Sequence, residues 1–232
     1  MRLAVGLAVG AAALAASACA EQLPTYRYKL TVEVDTPEGV VSGSAVREVT
    51  SSCSTANGYA GGGASMDVRG EAVAVDLPNG KALFALLSAP TYNGEAEHVA
   101  FNVFLREITK GRGFSDSCGH LNYTVKALAT GDYRAEVPAD MYPTFVWFEE
   151  EPDPTSVQQI EPTELSNKFK GYGLTNVTIE TSNQPITNIL ADRLPWLERY
   201  YGKYLSGQSV SGGGFGWAYE LHSGSFKQGM DE

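Results

Sequence analysis

The stretch Tyr26–Asp35, YRYKLTVEVD, constrains the fold more than any other part of the chain. Tyr26, Tyr28, Leu30, Val32 and Val34 alternate with Arg27, Lys29, Thr31, Glu33 and Asp35. A period of two sends successive side chains to opposite faces of an extended strand, so one face is dry and the other wet. Thr36-Pro37-Glu38-Gly39 supplies turn chemistry, and residues 40–50 read as the returning strand. The segment GEAVAVDLPNGKALFALL repeats the theme. Val73 and Val75 alternate, Pro78-Asn79-Gly80 turns the chain, and residues 82–87 run back apolar on both faces, which reads as a second hairpin.

Further strands are expected at 98–105, 121–129, 133–137, 144–148, 174–181 and 215–221. Some ten short strands separated by Gly, Asn and Pro predict a mainly β protein, an antiparallel sandwich or barrel. The stripe Phe215, Trp217, Tyr219 and Leu221 reads as core, with a sugar-stacking platform as its functional alternative. One helical pattern stands apart near the C-terminus. Ile186, Ile189, Leu190, Leu194, Leu197, Tyr201 and Tyr204 fit a period of 3.6, and Pro195 should split the helix into two short segments. Trp196 and Leu197 are expected buried, plugging the open end of the sheet. The acidic connection EEEPDPTS at 149–156 should end in a cap at Thr155 or Ser156, before the helix-compatible VQQI. Residues 25–222 read as one β-rich domain and 223–232 as a tail.

The N-terminus carries an address. Met1-Arg2 precedes an apolar run to Ala16, shorter than the roughly 20 residues of a membrane span and suited to an export signal. Ala16-Ser17-Ala18-Cys19 resembles the bacterial lipobox, in which small residues precede a cysteine that receives diacylglycerol before cleavage. Ala16 departs from the usual Leu at the first position. On this reading 1–18 is the signal peptide, Cys19 the lipidated residue and 19–24 a tether. Ala18-Cys19-Ala20 offers an ordinary peptidase site as the alternative. Of the three cysteines, Cys53 and Cys118 remain, an even number in an exported chain, and are expected to form a disulfide. Ala20 after the cysteine, in place of Asp, resembles outer-membrane sorting. The protein is expected on the periplasmic face of the outer membrane, or free in the periplasm if Cys19 is not acylated.

The formal net charge is −10, and loss of Arg2 with the leader deepens it by one. An acidic surface argues against nucleic acid, whose phosphates demand Lys and Arg. Familiar catalytic signatures are missing from the sequence. There is no G-x-S-x-G elbow, and the glycine runs at 58–63 and 212–214 lack the G-K-[ST] of a phosphate loop. His98, His120 and His222 show no ligand spacing, and without C-x-x-C no zinc site is expected. Glu149, Glu150, Glu151 and Asp153 could gather Ca²⁺, but no EF-hand spacing accompanies them and a solvated loop is the plainer reading. No catalytic residue, metal or cofactor is assigned.

Taken together, YRYKLTVEVDTPEGVVSGSAVREV, RGEAVAVDLPNGKALFALL, YPTFVWFEEEPDPTSVQQIEPTEL and PITNILADRLPWL resemble segments of a bacterial family of secreted or lipoprotein-like proteins with no assigned activity. The resemblance implies bacterial export and transfers no site residues. The leading expectation is a non-enzymatic envelope lipoprotein, a tethered β domain that binds or scaffolds an envelope protein or glycan. A periplasmic glycan hydrolase using paired carboxylates and a solute-binding accessory protein are the alternatives.

Overall fold

The computed structural model describes residues 21–54, 63–89, 96–110, 117–207 and 220–229. The leader, Cys19, most of the first glycine run, residues 212–214 and the aromatics at 215–219 lie outside them. The alternation that opens the sequence is realised as β2 (Tyr26–Thr36), whose even-numbered residues are buried while the odd-numbered ones reach solvent to varying degrees. A two-residue turn, Pro37-Glu38, leads into β3 (Gly39–Ser54). Gly39 closes that turn at a φ of 115°, a conformation that costs glycine little.

Two antiparallel sheets are built around this hairpin. The larger has seven strands, in the order β11 (Lys227–Gln228), β4 (Gly63–Glu71), β3, β2, β10 (Gly173–Thr181) and β7 (Arg134–Glu136), with β1 (Glu21–Gln22) also paired to β3. The smaller has four: β5 (Val73–Asp76), β6 (Ala82–Ala85), β8 (Phe145–Phe148) and β9 (Val157–Gln159). The second expected hairpin is β5–β6, with Asp76 opposite Ala82. Neither sheet closes into a barrel; the chain passes from one to the other where β4 runs on into β5, as strands at sandwich corners do. The sheets approach closely there. A Cβ on Gly43 of β3 would lie 2.1 Å from the carbonyl oxygen of Ala74, so only glycine lets β5 cross at that point.

An inner core lies on the dry face of the large sheet. It gathers Tyr28, Leu30, Val32 and Val34 with Leu83, Ala85, Phe145 and Trp147 of the small sheet. The rest of that face is covered by two helices, α1 (Ala96–Thr109) and α2 (Ser117–Thr130). Both segments were expected as strands. Ala96, Val99, Ala100, Val103 and Phe104 are buried at helical spacing, and so are Leu121, Thr124, Val125 and Leu128, so each helix lays one apolar stripe on the sheet.

An outer core covers the opposite face of the small sheet. Ala82, Phe84, Leu86, Val146 and Phe148 meet Leu190, Leu194, Trp196, Leu197, Leu205, Leu221 and Phe226. The expected C-terminal helix is interrupted at Pro195, leaving α4 (Leu190–Arg193), which follows the single turn α3 (Leu165–Lys168), and a 3-10 turn at Leu197–Tyr200. Ile189 and Tyr201, expected in its buried stripe, are exposed (62% and 76%). Trp196 is buried as expected, but it packs edge-to-face among the rings on one face of the small sheet instead of plugging an end. Its ring meets Phe148 at 5.6 Å, Tyr200 at 5.8 Å and Phe226 at 6.2 Å, and its Nε1 donates to the Glu151 carbonyl at 2.9 Å. Residues 223–229 are not a loose tail, since Phe226 is fully buried and Lys227–Gln228 pairs with β4. VQQ forms β9; the cap before it is Asp153, which accepts from Thr155 N at 2.9 Å on the 3-10 turn Pro154–Ser156.

Two buried charges sit where the layers join. Arg47, opposite Tyr28 in register, is 2% exposed. Its Nε donates to the Glu71 carbonyl at 3.0 Å and its Nη2 to the Ala85 carbonyl at 3.3 Å. The Glu71 carboxylate, also buried, accepts from the backbone N–H groups of Ile189 (2.9 Å) and Leu190 (3.0 Å). Burying an ion costs several kcal/mol unless its hydrogen bonds are replaced, and backbone groups replace them here. Together with Thr187, which exchanges bonds with Val46 at 2.8 Å and 3.1 Å, Glu71 clips the strap that carries the chain from β10 round to the outer core.

Candidate functional site

Cys53 and Cys118 form the expected disulfide, with Cα atoms 5.7 Å apart. It was expected between two loops. Instead Cys53 belongs to β3 and Cys118 to the first turn of α2, so the bond fastens helix to sheet. The segment 19–24, expected as a tether, is bound from Glu21 onward. Glu21 pairs with Cys53 and Gln22 with Ser52, Leu23 N donates to the Ser51 carbonyl at 2.9 Å, and Leu23 is buried. The N-terminal end of the described chain therefore lies beside the disulfide, at one end of the large sheet.

A polar groove of about 380 Å³ opens at the other end of α2 from the disulfide. It forms where β2 begins, α2 stops and β10 runs out, and its walls include Thr25, Arg27, Glu48, Asp132, Ser182 and Asn183. The frame is tightly hydrogen-bonded. Arg27 Nε donates to Glu48 Oε2 at 2.7 Å, and its Nη1 reaches the Gln184 carbonyl at 3.4 Å. Thr181 Oγ1 donates to the Gly131 carbonyl at 3.0 Å and accepts from Tyr133 N at 2.9 Å, tying the end of α2 to β10. Ser182 N bonds the Arg27 carbonyl at 2.9 Å. These contacts tie the start of β2, the end of α2 and the end of β10 together around the groove.

Two smaller hollows lie elsewhere among the described residues. One of about 270 Å³ lies on the outer core, by Leu197, Tyr201, Ser223 and Lys227. Another of about 200 Å³ is lined by Tyr142, Phe145, Gln159 and Glu161. Burial, and then the nearby Glu136 charge, raise the Tyr142 pKa.

The remaining residues singled out by sequence are dispersed. His98 lies on α1; His120 lies on α2 with its ring against Phe101 at 6.4 Å. His222 caps a 3-10 turn, its carbonyl accepting from Ser225 N at 2.9 Å, and partial burial lowers its pKa. In the acidic connection, Glu151 binds Arg193 at 2.7 Å and Asp153 serves as a cap. Among the described residues no three His, Cys, Asp or Glu side chains gather to hold a metal ion. Burial alone would lower the Arg193 pKa, but hydrogen bonds to Glu151 and Asp76 outweigh it and raise the value. The groove was missed in the sequence because its residues come from four separate stretches with no shared spacing. No family model, curated protein or solved structure matches the chain.

Proposed function

We propose that the protein is a non-enzymatic lipoprotein of the bacterial envelope, acylated at Cys19, whose β domain binds or scaffolds another envelope component. The pairing of Glu21 with Cys53 is the observation that supports this reading best. Two residues of chain separate Cys19 from that pairing, a span of at most about 7 Å. An acyl group on Cys19 would hold the disulfide end of the large sheet against the headgroups, where a covalent bond between β3 and α2 resists a pull on the N-terminus. The resemblance to secreted and lipoprotein-like bacterial proteins points the same way, as does the signal-like segment before Cys19.

Intact mass of the mature protein tests the anchor. Acylation on Cys19, with release to the soluble fraction in Cys19→Ser, is the expected result; an unmodified amino terminus at Glu21 overturns it. A pull-down of the wild-type protein from detergent-solubilised envelopes should then retain a partner that a β-domain variant with its groove altered does not.

A further inference from the structure

The groove between β2, α2 and β10 has the dimensions of a small-molecule site, since ligand pockets run from about 300 to 1,000 Å³. Its wall chemistry selects among ligand classes. The wall is predominantly polar, with the hydroxyls of Thr25, Thr130 and Ser182 and the Asn183 amide, so an apolar ligand would find little to bury. Two carboxylates, Glu48 and Asp132, share it with the last turn of α2, and a helix C-terminus carries about half a negative charge. Among the described residues of the wall the one cation is Arg27, and Glu48 already holds it at 2.7 Å while also lying 3.9 Å from Arg69 outside the wall. A phosphate or carboxylate would therefore meet Asp132 and a helix C-terminus, with the Arg27 charge already balanced by Glu48. A neutral polyhydroxylated molecule suits this wall, because its O–H groups donate to the carboxylates and helix carbonyls and its oxygens accept from the Asn183 amide.

We infer that this groove binds a neutral saccharide of one or two sugar units. The inference deepens the proposed envelope role by naming a class of component, and it rests on that reading only for where the sugar would be met.

The mature chain carrying Cys19→Ser, labelled with ¹⁵N, should be titrated with N-acetylglucosamine, N,N′-diacetylchitobiose and maltose, with glucose 6-phosphate as the anionic counterpart. Shifts should concentrate at the amides of Gly131, Asp132, Ser182 and Asn183, with millimolar Kd for at least one neutral sugar. Binding of the phosphate sugar should be at least about tenfold weaker. Asp132 is exposed, so Asp132→Asn should keep the thermal midpoint and weaken the neutral sugar about tenfold, the loss of one charge-assisted hydrogen bond. Glu48→Gln should free Arg27 and shift preference toward the phosphate sugar. No shift with any neutral sugar at about 50 mM, shifts centred elsewhere, or tighter binding of glucose 6-phosphate to the unaltered groove would each overturn the inference. Because the acyl group is removed in this experiment, failure here leaves the anchor standing, and an unacylated Cys19 leaves the groove standing.

Discussion

The inner and outer cores share the small sheet and are closed in opposite ways. The inner core lies between regular elements, strands on one side and strands plus α1 and α2 on the other. Their periodicity delivers apolar side chains to the interface, and one disulfide secures the arrangement. The outer core is covered by α4, two 3-10 turns and extended chain. Those segments have no long stripe to offer. They rely on large rings, Phe84, Phe148, Trp196 and Phe226, and on polar clips at Glu71, Thr187 and Arg193. Regular structure buries by repetition; irregular structure needs individual fasteners, and each fastener is a place to break it.

The largest effect should come from Trp196→Ala. Truncating a buried Trp costs about 3–5 kcal/mol, and amide exchange should rise across 190–205 before it rises in β2 and β3. Equal acceleration in both regions would mean that the two cores open as one unit. Next is Cys53→Ser with Cys118→Ser. Opening a loop of sequence separation 65 removes up to about 4 kcal/mol in the chain-entropy account, before native strain is deducted. Thermal unfolding should detect that loss, with fastest exchange now in α2; an unchanged midpoint would make the bond dispensable. Glu71→Gln should cost about 1–3 kcal/mol by weakening the buried acceptor of the Ile189 and Leu190 N–H groups. Its signature is local, at the Ile189 and Leu190 amides, and exchange there no faster than in the unaltered protein would remove Glu71 from the clips.

The smallest effect concerns pH. The His222 pKa is lowered from its ordinary 6.5, so the unfolded chain takes up a proton more readily than the folded one. The contribution is complete above about pH 6.5 and fades as pH falls through the folded value. His222 is only partly buried, so the decline should be shallow and confined to the 3-10 turn that it caps. His222→Asn should retain the cap and flatten the dependence; an undiminished slope would assign it to another group.

The large sheet was legible in the sequence because one face is wet. Alternation in β2 and turn residues at 36–39 and 78–80 gave both hairpins directly. α1 and α2 were misread for a definable reason: HVAFNVFL and LNYTVKALA are dense in β-branched and aromatic residues, which hid the spacing of Val99, Ala100, Val103 and Phe104, or of Leu121, Val125 and Leu128. Pro195 gave away the broken C-terminal helix. Nothing local announced the polar groove or the Arg47 and Glu71 stations, because each is completed by backbone groups remote in the chain.

The place of β2 has a kinetic consequence. On one side its partner is β3, reached through a two-residue turn; on the other it is β10, with Thr181 opposite Tyr28, so one flank is local and the other lies far along the chain. Pairings so remote in sequence slow folding. A chain delivered N-terminus first holds the β2–β3 hairpin with one edge of β2 bare until residue 181 has arrived. Bare edges recruit other chains, and charged side chains are a common guard. Arg27, Lys29, Glu33 and Asp35 line the wet face of β2, and Lys29 later pairs with Glu180 of the arriving strand. The same charges that made the strand readable would then keep the half-built sheet from pairing with its neighbours during the wait.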